Sequence, residues 1–483
     1  MAYPFETTSD GIATCLMLLD GEWIGGEEDG CEVLDKFTLE PVARLPSSSP
    51  RQIAAMLDVA AGRFEADQLS AFERGEILDR VADRILAQAD TFLEVMQIET
   101  GYTTSDCRNE INRTVETYRL SAEEARRLAG EVVAIAGARG QAKRTAYTLR
   151  VPLGVVLAVT PFNAPMNTVA HKLGPALAAG NTVVLKPASQ TPRTACLVAQ
   201  TFLDAGLPAG HLQVFHGSGP AVSAALRDER VRYVAFTGST GVGRKIQEQA
   251  GLRRTQMELG SIAFTILDKD ADLERAVPKA IAAGYRKAGQ VCTSVQILLV
   301  HEDVADLVAT QMARGVKDLV YGDPSKDGCV TGPLISLQDA ERVEGWIKDA
   351  LNDGATLLAG GTRENAVVAP TLLSNVTPTM RVGCNEIFGP VVCIETFQNF
   401  DAAIARVNST PYGLATGVFT NRLDHALRAT QALRVGGVHI NETSSSRADM
   451  MPYGGSKDSG FGREGPAYAI KEMTEERLVS FSF

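Results

Sequence analysis

Cys292 stands in the run Ala288-Gly289-Gln290-Val291-Cys292-Thr293-Ser294, and Glu258 in Met257-Glu258-Leu259-Gly260. A thiolate with small neighbours adds well to a carbonyl carbon, and a carboxylate in an apolar frame can then activate water to release the acyl group. The two residue types together describe covalent acyl chemistry. Four further strings could serve it. Asn163, in Thr160-Pro161-Phe162-Asn163-Ala164-Pro165, is a side-chain amide held between prolines. Such an amide can donate to an oxyanion, or simply cap the next helix. Lys186, in Leu185-Lys186-Pro187-Ala188-Ser189, closes a strand-like run, where a lysine reaches a nucleotide crevice or is merely solvated. Phe236-Thr237-Gly238-Ser239-Thr240-Gly241-Val242-Gly243 puts small residues at a helix start, so that backbone N–H groups can approach a pyrophosphate. It is not a GxGxxG fingerprint. Glu386-Ile387-Phe388-Gly389-Pro390 offers a carboxylate for a ribose diol and a ring for a flat partner, or else a turn with a buried Phe.

The elements that must position these residues are legible in the periodicity. Residues 12 to 45 carry short apolar runs broken by Gly25-Gly26 and Pro41, which predicts strands in a meander. Apolar residues recur at three and four in Ile53-Met56-Leu57-Ala60 and Ile77-Val81-Ile85-Leu86, which predicts helix through Pro50 to Ala129. Gly130 to Arg150 reads as a β-ribbon. From Val151 to Glu258, strand candidates at 155–160, 182–185, 212–215 and 233–236 alternate with helical segments. That alternation predicts a parallel sheet with helices on both faces. A second alternating region runs from Phe264 to about His439, and Thr474 to Phe483 reads as a closing strand.

With 483 residues the chain is too long for one simple core. Its net charge of −11 argues against nucleic acid as a partner, because phosphate binding needs concentrated Lys and Arg. No apolar stretch approaches the roughly 20 residues that span a bilayer. The start, Met1 to Glu6, lacks the layout of a secretory signal. Eight scattered cysteines without a CxxC pair suit a reducing compartment, so a cytoplasmic protein is expected. No HExxH string or Cys/His cluster suggests a metal.

Taken in order, the strings resemble the aldehyde dehydrogenase superfamily over nearly the whole chain. The matching runs are Pro161-Phe162-Asn163, Lys186-Pro187, Phe236-Thr237-Gly238-Ser239, Glu258-Leu259-Gly260, Gly289-Gln290-Val291-Cys292 and Glu386-Ile387-Phe388-Gly389-Pro390. Pro452-Tyr453-Gly454-Gly455 and Gly462-Arg463-Glu464 are family-like as well. The resemblance implies two doubly wound α/β domains plus a β-ribbon oligomerisation element. The cofactor domain would take 1–129 and 151–258, and the catalytic domain 259–440. The ribbon at 130–150 and the segment 441–483 would serve assembly into a homodimer or homotetramer by pairing with another subunit. It also implies oxidation of an aldehyde to a carboxylic acid with NAD or NADP, through a thiohemiacetal and a thioester on Cys292. Asn163 would hold the oxyanion and Glu258 would activate water. Lys172 and Glu464 match positions that can relay protons, or form an ion pair. Thr160, Pro161, Phe162, Lys186, Ser189, Gly238, Ser239, Gly243, Leu259, Glu386 and Phe388 would contact the cofactor. The presence of Glu258 favours hydrolysis over transfer to coenzyme A.

Two departures stand out. Ser261 replaces a usual glycine beside Gly260, and Ser189 stands where many NAD-preferring members carry Glu. A carboxylate there repels a 2′-phosphate, so Ser189 predicts that NADP is tolerated. Arg113, Arg447 and Phe162 are the expected substrate contacts, and two arginines would suit a small anionic semialdehyde. Paired surface arginines are the plainer alternative. The competing functions are a catalytically impaired relative that binds without turnover, and a cysteine esterase. The latter lacks an evident His partner and a GxSxG elbow.

Overall fold

Five strands run parallel at the centre of the first sheet: Arg254–Glu258, Val231–Thr237, Val155–Val159, Thr182–Lys186 and Leu212–Val214, in that spatial order. The structure, a computed structural model, describes residues 4–7, 11–66 and 68–483. The reading of the chain start therefore falls partly, at residues 1–3, outside the described residues. Val155–Val159 is buried at every position, as expected of a strand covered on both faces. Antiparallel strands close the two edges. Gly460–Phe461 pairs with Arg254–Glu258, and Met17–Leu19 and Glu22–Ile24 extend the sheet beyond Leu212–Val214. The strand order reverses around Val155–Val159. In such a sheet, ligands bind beyond the carboxyl ends of the strands at that reversal. Thr160, Lys186, Thr237 and Glu258 all stand at carboxyl ends.

The second sheet has seven strands, ordered Thr356–Ala359, Thr371–Ser374, Val391–Phe397, Val295–His301, Ala263–Leu267, Ala415–Phe419 and Gly437–Ile440. All its pairs are parallel except the first. Each sheet packs its own helices, so the apolar interior divides into separate cores.

The predicted helical stretch resolves into Pro50–Ala66, Ala71–Ala87, Ala89–Thr100 and Thr104–Arg127. Local chemistry sets the breaks. Ser70 and Glu73 form a reciprocal capping box, and Gly101 ends the third helix in the left-handed conformation. Helix Asn167–Ala179 is buried at every residue, His171 and Lys172 included.

Two expectations need revision. The closing strand Thr474–Ser482 pairs antiparallel with Arg144–Pro152 of the same chain, from Thr474 opposite Pro152 to Ser482 opposite Arg144. Val132–Val133 adds the third strand. The ribbon thus finds its first partner within the chain, because the C-terminus returns to it. The segment after 440 is also not a single unit, since Gly460–Phe461 belongs to the first sheet. Among the described residues, no helix is long and apolar enough to cross a membrane.

Candidate active site

Helix Leu273–Tyr285 ends in a tight turn over Arg286–Gly289, where Lys287, Ala288 and Gly289 have φ of 51°, 53° and 69°. A side chain on Gly289 would meet the Gly389 carbonyl at 2.0 Å, so the position requires glycine. The strained turn is held from outside. The buried Lys287 ammonium pairs with Glu110 and donates to the Asn163 carbonyl at 3.2 Å. The chain then delivers Cys292 just ahead of strand Val295–His301.

Three separate elements meet at that cysteine. Asn163 Nδ2 donates to the Gln290 carbonyl at 2.9 Å, so the amide is fixed against the cysteine loop. Tyr102 steadies it further by donating to the Asn163 carbonyl at 2.9 Å. Tyr453 Oη lies 2.6 Å from Cys292 Sγ and 3.3 Å from Glu258 Oε1. Cys292, Asn163 and Glu258 all line one pocket of about 710 Å³. The pocket opens between the two sheets' helices and loops, which is why no single stretch of sequence contains it.

Along one wall of the pocket runs a largely buried chain of charges. Lys172 Nζ sits 2.8 Å from Glu464 Oε1 and donates to Gln256 at 2.7 Å. Arg447 Nη2 reaches Glu464 Oε2 at 2.8 Å. His171 Nε2 is 3.0 Å from both Arg447 Nη2 and Asp449 Oδ1. Arg113 completes the chain with two hydrogen bonds to Asp449, 3.0 and 2.7 Å. Burial, then the Glu464 charge, pushes the Glu258 carboxyl up to about 8. Burial would raise Glu464 too, but Lys172 and Arg447 hold it below the ordinary carboxylate range. The two acids are thereby split: one titratable near neutrality, one fixed as an anion. Burial, then Glu258, pushes the Cys292 thiol up.

The cofactor candidates gather at the carboxyl ends of the first sheet. Lys186 is half-buried, makes no ion pair among the described residues, and is pushed down to about 8 by desolvation. The Thr160 hydroxyl is buried without a partner. Ser239 caps helix Thr240–Ala250 without a side-chain hydrogen bond, leaving its first N–H groups open. A side chain on Gly243 would strike Leu259 at 2.3 Å, so this helix packs directly on the residue after Glu258. Glu386, pushed up to about 7 by burial, accepts from the Ser261 N–H at 2.9 Å. Phe162 and Phe388 meet edge to face, 5.9 Å apart. A half-buried cation without an ion pair, an unpaired hydroxyl and an open helix start form a donor set that fits a pyrophosphate-bearing dinucleotide. Ser189 lies in the turn after Lys186 and Pro161 leads into the Asn163 loop; neither makes a diagnostic contact.

A match to the Aldehyde dehydrogenase family spans residues 23–479. The chain belongs to this family. A 3-sulfolactaldehyde dehydrogenase of Priestia aryabhattai is 43% identical over 468 residues, covering 96% of this chain and 97% of that protein. Among solved structures, aldehyde dehydrogenase 21 from Physcomitrella patens, in complex with the reaction product succinate, aligns with TM-score 0.93. It is 33% identical over 97% of this chain and 98% of its own. An NADP-dependent glyceraldehyde-3-phosphate dehydrogenase from Bacillus halodurans C-125, complexed with NADP, aligns with TM-score 0.94 and 32% identity, covering 97% and 99%. As an aldehyde dehydrogenase, the protein oxidises an aldehyde to a carboxylic acid with NAD(P) as acceptor.

The sequence-based substrate contacts stand differently from expectation. Arg113 and Arg447 both line the pocket, but each is committed to a carboxylate, Asp449 and Glu464 respectively. Arg447 lies deep rather than at a mouth, with its guanidinium 3.8 Å from the centre of the Tyr453 ring. The loop after 440 folds back onto helix Thr104–Arg127 and brings its own acid with it. Phe162 packs on Phe388 and is not among the residues lining that pocket. Sequence reasoning missed Tyr453, Arg286, His171 and the Lys287–Glu110 pair. Arg286 carried a faint signal, a basic residue closing a helix just before the nucleophile. Tyr453 stood in the family-like run Pro452-Tyr453-Gly454-Gly455, but its role was not readable, because its neighbourhood with Cys292 exists only after folding.

Proposed function

We propose that the protein oxidises a short anionic aldehyde, with Arg286 as the anchor for the anion. One observation carries this reading. Among the pocket-lining cations, Arg113, Lys279, Lys287 and Arg447 each pair with a carboxylate, whereas Arg286 is held by the Ser445 hydroxyl at 2.7 Å. It is the one lining cation without a carboxylate among the described residues, and a guanidinium suits carboxylate, sulfonate or phosphate. The relatives support the same chemistry: one is named for a sulfonated aldehyde, and another was solved with succinate.

In this reading Cys292 Sγ adds to the aldehyde carbon. The oxyanion takes hydrogen bonds from Asn163 Nδ2 and the Cys292 backbone N–H. One such donor is worth about 3 kcal/mol. A nicotinamide held at the cofactor residues would supply the acceptor for the hydride that leaves as the thioester forms. Glu258 removes a proton from water, which attacks the thioester carbon; the C–S bond breaks and the acid leaves. Glu464, paired with Lys172, stays ionised, and its charge keeps Glu258 basic rather than carrying its proton. Lys186 and Ser239 with Gly238 would hold the cofactor phosphates, and Glu386 would hold the ribose. Ser189 puts no negative charge near a 2′-phosphate, so both NADP and NAD are accepted.

The two sheets correspond to a cofactor domain and a catalytic domain, divided near residue 258. The exposed Leu149, Leu478 and Phe481 on the small sheet suit a homodimer or homotetramer contact. The free thiols suit the cytoplasm.

The test is formation of reduced nicotinamide with a matched panel of neutral and anionic aldehydes. Turnover should concentrate on short anionic aldehydes and vanish in Cys292→Ser. A preference for neutral aldehydes would overturn the substrate class, and activity in Cys292→Ser would overturn the nucleophile.

A further inference from the structure

The hydroxyl of Tyr453 is in contact with both groups that must exchange a proton. Its oxygen is 2.6 Å from Cys292 Sγ and 3.3 Å from Glu258 Oε1. The placement is enforced. The Tyr453 backbone donates to the Glu464 carbonyl at 3.1 Å and accepts from the Glu464 N–H at 2.7 Å. A side chain on the following Gly454 would meet the Gly462 carbonyl at 2.3 Å, so the loop packs at the backbone. The Arg447 guanidinium covers the ring face at 3.8 Å, and Glu464 in turn fixes Arg447. A cation on that face favours negative charge on the phenol oxygen and makes its O–H a better donor.

Resting on the nucleophile and base assigned above, we propose that Tyr453 is a catalytic residue that activates Cys292 by passing its proton to Glu258. The S–H bond breaks as the proton moves to Tyr453 Oη, while the Tyr453 O–H proton moves to Glu258 Oε1. Tyr453 ends unchanged, the sulfur carries the negative charge, and Glu258 is neutral. No oxidant or cofactor is required. The Tyr453 hydroxyl then donates to the thiolate until the sulfur attacks. Burial opposes a free thiolate here, so a donor at this oxygen matters more than it would in water.

Alkylation of the folded, cofactor-free enzyme by iodoacetamide reports the thiolate directly. Tyr453→Phe keeps the ring under Arg447 and removes the hydroxyl. Alkylation of Cys292 at neutral pH should slow about tenfold or more, with its pH midpoint moved upward. An unchanged rate and midpoint would overturn the proposal. Replacing Tyr453 with 3-fluorotyrosine keeps the hydroxyl, makes it more acidic, and should shift the midpoint; an unmoved midpoint overturns the proposal as well. Loss of turnover in Cys292→Ser, with only other thiols such as the exposed Cys31 still labelled, keeps the nucleophile assignment intact whichever way Tyr453 behaves, and persistent turnover there would sink that assignment instead.

Discussion

Arg113 grips Asp449 through two hydrogen bonds, 3.0 and 2.7 Å long, across 336 residues of sequence. The Asp449 side chain is only 4% exposed, so the pair ties helix Thr104–Arg127 to the loop that floors the pocket. Arg113→Ala strips this carboxylate of its main cation. A cost of about 3 kcal/mol is expected, read as a lower urea midpoint. Burial raises the Asp449 carboxyl, but His171 and Arg113 together hold it below its ordinary range. A depressed folded pKa gives stability that is present above the unfolded value, near ~4, and lost as pH falls. The gap between wild type and variant should therefore narrow in acid. An unchanged midpoint with a raised KM would assign Arg113 to the substrate instead.

Arg286→Gln should act on substrate rather than on the fold. Its guanidinium has Ser445 as partner and no carboxylate to strand. KM for an anionic aldehyde is expected to rise about tenfold or more, while a neutral aldehyde of equal length is hardly affected. Equal losses on both substrates would remove Arg286 from the anchoring role.

Glu258→Gln removes the proton acceptor for water, and kcat should fall about 100-fold to 10,000-fold. Wild-type turnover should climb with pH toward about 8, where burial and Glu464 place this carboxyl. The sign for stability is the reverse of the usual carboxylate. A folded pKa raised above the unfolded one means that ionisation costs stability as pH rises. Glu258→Gln should thus keep or raise the melting temperature at pH 8 and above. A large drop would mark Glu258 as structural.

Ser189→Glu should separate the two cofactors. A carboxylate in the turn after Lys186 repels a 2′-phosphate but can accept from a 2′-hydroxyl. kcat/KM with NADP should fall about tenfold or more, with NAD kept or improved. If wild type already refuses NADP, the reading of Ser189 fails.

Ser261→Ala tests the departure beside Gly260. The Ser261 hydroxyl is buried without a partner, whereas its backbone N–H, which the substitution keeps, serves Glu386. Removing the orphan hydroxyl should stabilise by about 1 kcal/mol. Destabilisation would show that the hydroxyl is satisfied in solution.

Much was written into the chain. Local apolar periodicity determined the alternating strands and helices, because burial of one face follows from side-chain spacing alone. Gly238 and Gly243 were readable as small residues opening a helix start, and Cys292, Glu258 and Asn163 as chemistry seeking a common pocket; that Gly289 must be glycine shows only against the Gly389 carbonyl. Which arginine remains unpaired was not readable. Arg113, Arg286 and Arg447 look alike in one dimension, and only the return of the loop after 440 supplies Asp449 to one while the Gly462-Arg463-Glu464 turn supplies Glu464 to another. The same holds for Tyr453, placed on Cys292 and Glu258 by a backbone pairing with Glu464. Long-range contacts of this kind depend on where two sheets and their loops come to rest, and charge pairing is decided by distance in space, which sequence separation does not encode.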